Sequence, residues 1–584
     1  GGAIFDTVNG NLTVLQPLLT AGGSDGGLTK AGVNTLTLTG ANLYNGETTV
    51  NAGTLFVGGV SADAPGALVI NNGGTVTGAG AGQYNYFDAF TSTTLNTGGI
   101  LTALGGAHGM NPVIMSGGTL AYGGTPNASY GSWSFHGTGA TDIFCTSNST
   151  ITADGLNSEL ATGVKIDVSA DRTLSVSGTF TAPAARPVYG LTKVGDGTLE
   201  LTGDNTYTGT TTANGGTLQF NGGSLAAGGQ LLVGNAATGT MLMDGSVGTL
   251  TFNNGNPNYV GVGGGTGDLQ VDAGTLATTG TGGDLWIGTA GTGTLTVDGG
   301  AVALGGTLGR LIVADAANAG TATLTSGSIS ATQVYIGGGT PGAGAGTFNL
   351  DGGILTLTGG ANNSFVSRAG GTGTYVFNFN GGTLTTTAAQ NNLLQGAVTY
   401  NVQGGGAVID TAGLNAFVQN VPLVHAGTGT DGGLTKNGAG ELRFYSSSVN
   451  SYDGATTVNQ GTLSYDKSTS LFGPLAVNTG ATFRLTDYLN NNIVPSQVDL
   501  TGGTIDGLLA VVSHYYGIYT EVINVHGSGL TSTIGGAYSP EVWINSTGDG
   551  NPHTLTVTVD SGATGVVSTV IGGHPDGVGS GALT

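Results

Sequence analysis

The chain has 584 residues, 116 of them glycine, and a formal net charge of −22 from 11 Lys and Arg against 33 Asp and Glu. Glycine does not recur at every third position, which excludes collagen, and a hydrophobic fraction of 38% excludes a solvated disordered chain. The scattered Lys and Arg residues argue against a nucleic-acid partner, because neutralising phosphates takes clustered positive charge. No stretch is long and apolar enough to predict a membrane-spanning helix.

Short runs of alternating apolar and polar residues recur along the whole chain. Residues 35–39 are Thr-Leu-Thr-Leu-Thr, residues 294–297 are Thr-Leu-Thr-Val, and residues 554–559 are Thr-Leu-Thr-Val-Thr-Val. Alternation with period two indicates strands with one buried face. The Asn-Gly, Asp-Gly and Gly-Gly pairs near these runs supply the positive φ angles of tight turns. Since no segment shows a helical period with caps, the sequence predicts an all-β chain.

A longer motif occurs three times, at residues 27–55, 190–218 and 433–463. Each copy opens with Gly-Leu-Thr-Lys, continues through a strand and a turn that contains tyrosine, and closes with Thr-Thr, a glycine and Thr-Leu. The third copy differs from the other two in the first strand after Gly-Leu-Thr-Lys, which is Glu-Leu-Arg-Phe. Residues 231–357 hold shorter units whose turn residues lie 25 to 28 residues apart. A period in the twenties, made of two or three short strands, is typical of one rung of a β-solenoid.

Each motif copy follows a lead-in strand that ends in an aspartate, namely Asp6, Asp167 or Asp410. A similar strand ends at Asp560, so we expect a fourth copy that the chain cuts short. Residues 485–545 are less regular and rich in aromatic residues. The predicted divisions are super-repeats 1–162, 163–405 and 406–556, and the start of a truncated fourth super-repeat at 557–584.

The motif, with Gly-Leu-Thr-Lys, Thr-Leu-Thr-Leu-Thr-Gly, a following Tyr, and Thr-Thr-Val-Asn before Gly-Thr-Leu, resembles the autotransporter-associated β-strand repeat of large exported bacterial surface proteins. The resemblance implies a right-handed parallel β-helix, part of the passenger region of such a protein, and it implies no catalytic residue. At about 25 residues per rung, the chain is predicted to form roughly 20–25 rungs.

Parallel β-helices also include polysaccharide lyases and hydrolases, so catalysis is a competing interpretation. Lys30, Lys193 and Lys436 occupy the same position in the three motif copies, which indicates a structural role. No catalytic, cofactor-binding or metal-ligating residue is predicted, and structural calcium among the 33 acids is left as an alternative.

Cys145 is predicted to be a small buried strand residue. The histidines form neither His-x-His nor His-Glu-x-x-His and are predicted to be surface or turn residues: His108, His136, His425, His514, His526, His553 and His574.

Two aromatic segments interrupt the repeats, one at residues 84–90 with Trp133 and Phe135, the other at residues 514–519 with Tyr538 and Trp543. Exposed aromatic side chains on a polar surface could stack on sugar rings or contact a partner. The alternative, favoured for large apolar residues, is that the segments fold over the helix with their rings buried. The candidate ligand or interface residues are Tyr515, Tyr516, Tyr519 and Trp543.

Together with the resemblance, these patterns predict an exported, non-enzymatic structural protein of the bacterial surface, part of a fibre, an appendage or an adhesin stalk that could assemble into filaments. The alternatives are a polysaccharide-active β-helix enzyme and a carbohydrate-binding adhesin. The expected partners are further copies of the chain, end to end or side by side, or its continuation in a longer protein, and a glycan or surface ligand. No cofactor is expected.

Overall fold

The computed structural model describes most of the chain, in segments separated by short gaps. The described residues are 1–20, 22–23, 25–58, 66–78, 87–136, 140–160, 162–185, 189–253, 255–315, 317–338, 344–360, 366–367, 373–445, 449–466, 473–486, 492–493, 495–507, 517–520, 522–535, 541–543, 554–567, 571–572 and 582–583.

All regular elements in these residues are β-strands, which confirms the predicted all-β class. None of the described segments forms a helix that is long and apolar enough to cross a membrane. The chain divides into two compact units: unit 1 is Gly1–Gly283 with Ala290–Thr294, and unit 2 is Asp284–Thr289 with Leu295–Thr584. The predicted super-repeat boundaries concern sequence periods and stay a prediction.

Unit 1 contains thirty strands. They are β1 (Ala3–Asp6), β2 (Leu12–Val14), β3 (Leu28–Ala31), β4 (Thr35–Leu38), β5 (Thr48–Val50), β6 (Gly53–Val57), β7 (Leu68–Ile70), β8 (Gly74–Gly78), β9 (Thr93–Asn96), β10 (Ile100–Ala103), β11 (His108–Met110), β12 (Val113–Ser116), β13 (Thr119–Leu120), β14 (Trp133–Phe135), β15 (Ile143–Ser147), β16 (Ser149–Ile151), β17 (Asn157–Ser158), β18 (Val164–Val168), β19 (Thr173–Val176), β20 (Leu191–Val194), β21 (Thr198–Leu201), β22 (Thr211–Ala213), β23 (Thr217–Phe220), β24 (Leu225–Gly228), β25 (Leu231–Asn235), β26 (Thr238–Met243), β27 (Thr249–Asn253), β28 (Asn258–Val262), β29 (Thr266–Val271) and β30 (Thr275–Thr279).

The remaining strands belong to unit 2, apart from the first residues of β32. They are β31 (Leu285–Ile287), β32 (Thr292–Leu304), β33 (Arg310–Val313), β34 (Ala319–Ala331), β35 (Gln333–Ile336), β36 (Ala345–Leu350), β37 (Ile354–Leu357), β38 (Val366–Ser367), β39 (Thr374–Phe379), β40 (Thr383–Thr386), β41 (Gln390–Leu394), β42 (Thr399–Val402), β43 (Ala407–Asp410), β44 (Ala416–Gln419), β45 (Leu423–His425), β46 (Leu434–Asn437), β47 (Glu441–Tyr445), β48 (Thr456–Val458), β49 (Thr462–Tyr465), β50 (Leu475–Val477), β51 (Thr482–Leu485), β52 (Asn492–Ile493), β53 (Val498–Leu500), β54 (Thr504–Gly507), β55 (Gly517–Tyr519), β56 (Val522–Val525), β57 (Thr531–Ile534), β58 (Glu541–Trp543), β59 (Thr554–Val559), β60 (Thr564–Val567), β61 (Ile571–Gly572) and β62 (Ala582–Leu583).

These strands pair in parallel with strands one turn further along the chain, as in a β-solenoid. In the first motif copy β3 pairs with β5, with Leu28 opposite Thr48, and β4 pairs with β6, with Leu36 opposite Leu55. The described residues form about 18 turns, fewer than the predicted 20–25 rungs, but the parallel stacking of the turns is the predicted one. The parallel β-solenoid predicted from the repeats is therefore confirmed.

The core of unit 1 is built from columns of apolar side chains, because the strands alternate inward and outward residues. Each inward residue lies over its counterpart one turn earlier, and burying it contributes about 1.5–3 kcal/mol. One such column, each member of which is at most 1% exposed, is Leu36, Leu55, Val76, Leu101, Leu120, Ile151, Val176, Leu201, Phe220, Met243 and Val271.

Asparagine side chains stack at the corners between strands. The amide of Asn71 donates to the side-chain oxygen of Asn51 at 2.7 Å, and the amide of Asn96 donates to Asn71 at 2.7 Å. Asn71 thus uses both the donor and the acceptor of its amide between successive turns. In unit 2 the same kind of ladder joins Asn437, Asn459 and Asn478.

The first aromatic segment is buried where the structure describes it. Phe87 and Trp133 are at most 1% exposed, their rings meet edge to face at 5.3 Å, and the Trp133 indole donates to the carbonyl of Ala121. The buried-loop alternative is therefore confirmed for these residues. Cys145 is also buried, as predicted.

One histidine prediction is wrong. His108 is not a surface or turn residue, because it lies in β11 and is 1% exposed. Its ring packs against Trp133, with the centroids 5.2 Å apart, and its Nε2 contacts the carbonyl of Gly105 at 2.8 Å. Trp133 lies opposite His108 in the neighbouring strand β14, so the contact that buries the ring comes from the next turn.

Candidate functional site

The lysine of each Gly-Leu-Thr-Lys motif is fully buried. Lys30, Lys193 and Lys436 point inward from strands β3, β20 and β46 and have no exposed surface. A buried charge is costly unless every hydrogen of the group is bonded. These three buried ammonium groups therefore need hydrogen-bond partners within the core.

Each lysine ammonium donates to three backbone carbonyls, which matches its three hydrogens. Lys193 Nζ lies 2.8 Å from the oxygens of both Val194 and Gly195, and 3.0 Å from that of Gly215 in the next turn. The other two copies repeat this geometry at 2.6 to 3.1 Å: Lys30 with Ala31, Gly32 and Ala52, and Lys436 with Asn437, Gly438 and Gln460.

The electrostatics of these ammonium groups reflect burial opposed by a nearby carboxylate. Desolvation lowers the pKa of Lys193 and of Lys436 to about 8, and the lead-in aspartates Asp167 and Asp410 act in the opposite direction. Desolvation likewise lowers the pKa of Lys30, against Asp6. With its three hydrogens bonded to main chain, each ammonium links two turns, which is the structural role predicted from its recurrence.

The motif tyrosine is the second buried polar group of each copy. The hydroxyls of Tyr44, Tyr207 and Tyr452 lie 2.7 to 2.8 Å from the hydroxyl of the threonine four residues later. Burial raises the pKa of all three tyrosines, to about 12 for Tyr452. The four-residue spacing from tyrosine to threonine in the motif thus gives the buried tyrosine hydroxyl a hydrogen-bond partner.

In the first and third copies, an aspartate before the motif joins two turns through hydrogen bonds between backbone and side chain. In the first copy Asp25 and Asn45 each donate a backbone N–H to the other's side chain, at 2.9 and 2.8 Å. In the third copy Asp431 and Asp453 make the same exchange, at 2.8 and 3.0 Å. His425 also contacts both of these carboxylates, and the three residues are the metal-ligand group found in the described part of the chain.

The four contact residues predicted from the second aromatic segment are only partly placed. Tyr515 and Tyr516 lie outside the described residues. Tyr519 ends β55 and Trp543 ends β58, and these strands pair in parallel with Tyr519 directly opposite Trp543. The backbone therefore brings two of the four predicted positions together, and their role in binding stays a prediction.

Sequence reasoning missed an aromatic depression on the outer face of unit 2. Its volume is about 230 Å³, and it is lined by Asn391, Phe417, Gln419, Arg443 and Tyr445 from strands β41, β44 and β47. Tyr445 is 56% exposed, and the Arg443 guanidinium lies 5.5 Å from its ring centroid. The sequence signal that could have revealed this depression is the altered first strand of the third motif copy, where an arginine and aromatic residues replace the threonine-rich strand of the first copy.

Comparison with known proteins supports the reading of the motif. The model of the passenger-associated-transport-repeat family matches the chain at residues 28–57, 191–220 and 434–464. These matches contain the three buried lysines, the tyrosines and the paired strands described above.

One curated relative is the adhesin BmaC autotransporter of Brucella suis biovar 1 (strain 1330). It is 31% identical over 260 residues, which are 36% of this chain and 7% of the relative. The chain therefore spans a small part of the length of the relative it matches.

Among solved structures, a hyper-glycosylated TibA fragment, residues 55–350, whose glycosylation is catalysed by TibC, is aligned over 98% of this chain and 100% of its own. The identity is 13% and the TM-score 0.14, a score too low to support a conclusion about fold or function. The repeat matches and the adhesin relative confirm the resemblance stated from the motif: the chain carries three passenger-associated-transport repeats in a parallel β-solenoid and is similar to passenger-type autotransporter proteins.

Proposed function

We propose that the chain is an exported segment of an autotransporter passenger with a structural, adhesin-like role at the bacterial surface. The observation that carries the proposal is the placement of the three matched repeats, whose most chemically distinctive residue, the lysine, bonds only main-chain carbonyls. The adhesin relative supports the same class of role. A repeat that joins turns to one another suits a scaffold that holds contact surfaces away from the cell.

The competing enzymatic interpretation has a direct test. The purified chain is incubated with acidic and neutral polysaccharides, with and without Ca²⁺, and the products are analysed by size-exclusion chromatography. A scaffold leaves the chain length of every polysaccharide unchanged. Shortening of any of them by the chain, abolished by replacement of a single acidic residue, would establish an enzyme instead.

A glycan ligand is a second candidate function, favoured by the depression around Tyr445. An exposed aromatic ring beside an arginine and two amide side chains offers a stacking surface and hydrogen bonds to a pyranose ring. Arg443 is also paired with Asp466 at 2.7 Å, which reduces the net charge of the depression and suits a neutral sugar.

A glycan array tests this ligand class. Tyr445→Ala is expected to lower the signal of a bound neutral glycan at least tenfold. The control is Tyr335→Ala, because Tyr335 also lies beside an ion-paired arginine, Arg310, at 5.9 Å. Equal signals from the wild type and the Tyr445 variant would contradict the proposal.

Self-association or continuation in a longer protein remains the proposed explanation for apolar residues exposed in the first turn. Ile4, Leu15 and Leu19 are 73%, 69% and 67% exposed. A further turn or another copy of the chain that packs against the first turn would cover them.

A further inference from the structure

His425 lies against two carboxylates at the turn that opens the third motif copy. Its Nδ1 is 3.0 Å from Asp431 Oδ2 and 3.3 Å from Asp453 Oδ1. The Asp431 side chain is fully buried, whereas those of His425 and Asp453 are 28% and 42% exposed. One nitrogen and two oxygens thus converge at a point that solvent can reach.

The first motif copy contains the same turn without this charge cluster. Oδ1 of Asp25 accepts the N–H groups of Gly27 and Gly46, as Oδ1 of Asp431 accepts those of Gly433 and Gly454. The main difference is the partner aspartate, because Asp453 takes the position of the neutral Asn45. The third copy therefore places two carboxylates together, which repel one another unless a cation lies between them.

The orientation of the imidazole favours a metal ion as that cation. His425 Nε2 is 3.2 Å from the carbonyl oxygen of Gly427, an acceptor that holds the ring hydrogen on Nε2. Nδ1 then faces the carboxylates, where it donates a hydrogen to them when protonated and presents its lone pair to a shared metal ion when deprotonated. Metal-binding histidines characteristically donate their other N–H to a carbonyl or carboxylate in this way.

The spacing of the three atoms fits a first-row transition ion. Neighbouring ligands about 2.0–2.1 Å from a tetrahedral ion are separated by about 3.3 Å, close to the Nδ1–oxygen distances of 3.0 and 3.3 Å. We propose that His425 Nδ1, Asp431 Oδ2 and Asp453 Oδ1 bind a divalent ion of the zinc class. Imidazole selects such an ion over Ca²⁺, which prefers oxygen ligands only. The ion would join two successive turns, and solvent would complete its coordination.

The test is calorimetric titration of the full chain with Zn²⁺ after removal of metals with EDTA, together with the visible absorption of added Co²⁺. His425→Gln and Asp453→Asn are each expected to weaken Zn²⁺ binding at least tenfold and to abolish the Co²⁺ bands of the site. Asp453→Asn is the decisive variant, because it recreates the Asp25–Asn45 pair of the first copy and should preserve the fold.

His526→Gln is the matched control. His526 also lies between two carboxylates, those of Asp499 and Asp560, but its two ring nitrogens face different ones, so it does not present one nitrogen to both. The proposal predicts unchanged Zn²⁺ affinity in this variant. Zn²⁺ affinity that is the same in the wild type, His425→Gln and Asp453→Asn would overturn it and leave a proton as the shared cation.

Discussion

At the residue scale, the buried lysine carries the largest energetic consequence. Lys193→Met keeps the volume of the side chain but leaves the carbonyls of Val194, Gly195 and Gly215 without their ammonium donor. Each unsatisfied buried carbonyl costs about 1–3 kcal/mol, so we expect a clear fall in the melting temperature measured by circular dichroism. Lys165→Met, on the half-buried outward side of β18, is the control, and an equal fall in both variants would argue against the role of the ammonium.

A second residue-scale prediction concerns alkaline pH. The pKa of Tyr452 is raised by burial to about 12, against 10.0 for an ordinary tyrosine. Between pH 10 and 12 the folded chain therefore holds a proton that the unfolded chain releases, and the stability falls as the pH rises through this window.

Denaturant melts at pH 9, 10 and 11 measure this effect. Tyr452→Phe should be less stable than the wild type at pH 9, through loss of its hydrogen bond to Thr456, but should lose less stability on the step to pH 11. Tyr445→Phe, at an exposed tyrosine, should follow the wild type. A wild-type alkaline loss that Tyr452→Phe leaves unaltered would contradict this assignment.

At the element scale, the turn after each lysine strand depends on a glycine. Gly195 has φ +76°, and a Cβ there would collide with the side chain of Asp167 and the carbonyl of Val168. Gly195→Ala is therefore expected to destabilise the chain by about 1 kcal/mol or more and to lower the melting temperature.

Gly255→Ala provides the comparison for that turn. Gly255 is not in the left-handed region, and its added Cβ would meet only the Thr281 hydroxyl, at an ordinary 3.5 Å. The two variants should differ clearly in melting temperature. Equal values would mean that the Gly195 turn relaxes without cost.

The strands and turns can largely be predicted from the local sequence pattern, whereas the contacts between turns cannot. The alternation of residues 35–39 and the period of residues 231–357 predict strands and turns correctly. The Ala52 carbonyl that binds Lys30 and the Trp133 ring that covers His108 come from other turns, 20 or more residues away, so they cannot be predicted from the neighbouring sequence. The depression at Tyr445 likewise needs three strands, β41, β44 and β47, to be placed side by side.

At the scale of the whole molecule, the exposed first turn has a measurable consequence. If other copies of the chain cover Ile4, Leu15 and Leu19, then Leu15→Asp should shift sedimentation toward the monomer, because burying an unpaired carboxylate is unfavourable. The control is Val33→Asp, at a residue that is 73% exposed but belongs to a later turn. Sedimentation of the wild type as a monomer at high concentration would contradict self-association through this turn.

The proposed role of this β-solenoid as an exported passenger scaffold makes a direct prediction about its location. Antibodies raised against the purified chain are applied to intact bacteria that produce the parent protein, and then to the same cells after permeabilisation. The account predicts full labelling of intact cells and loss of that signal after brief treatment with external protease. Labelling that requires permeabilisation would contradict it.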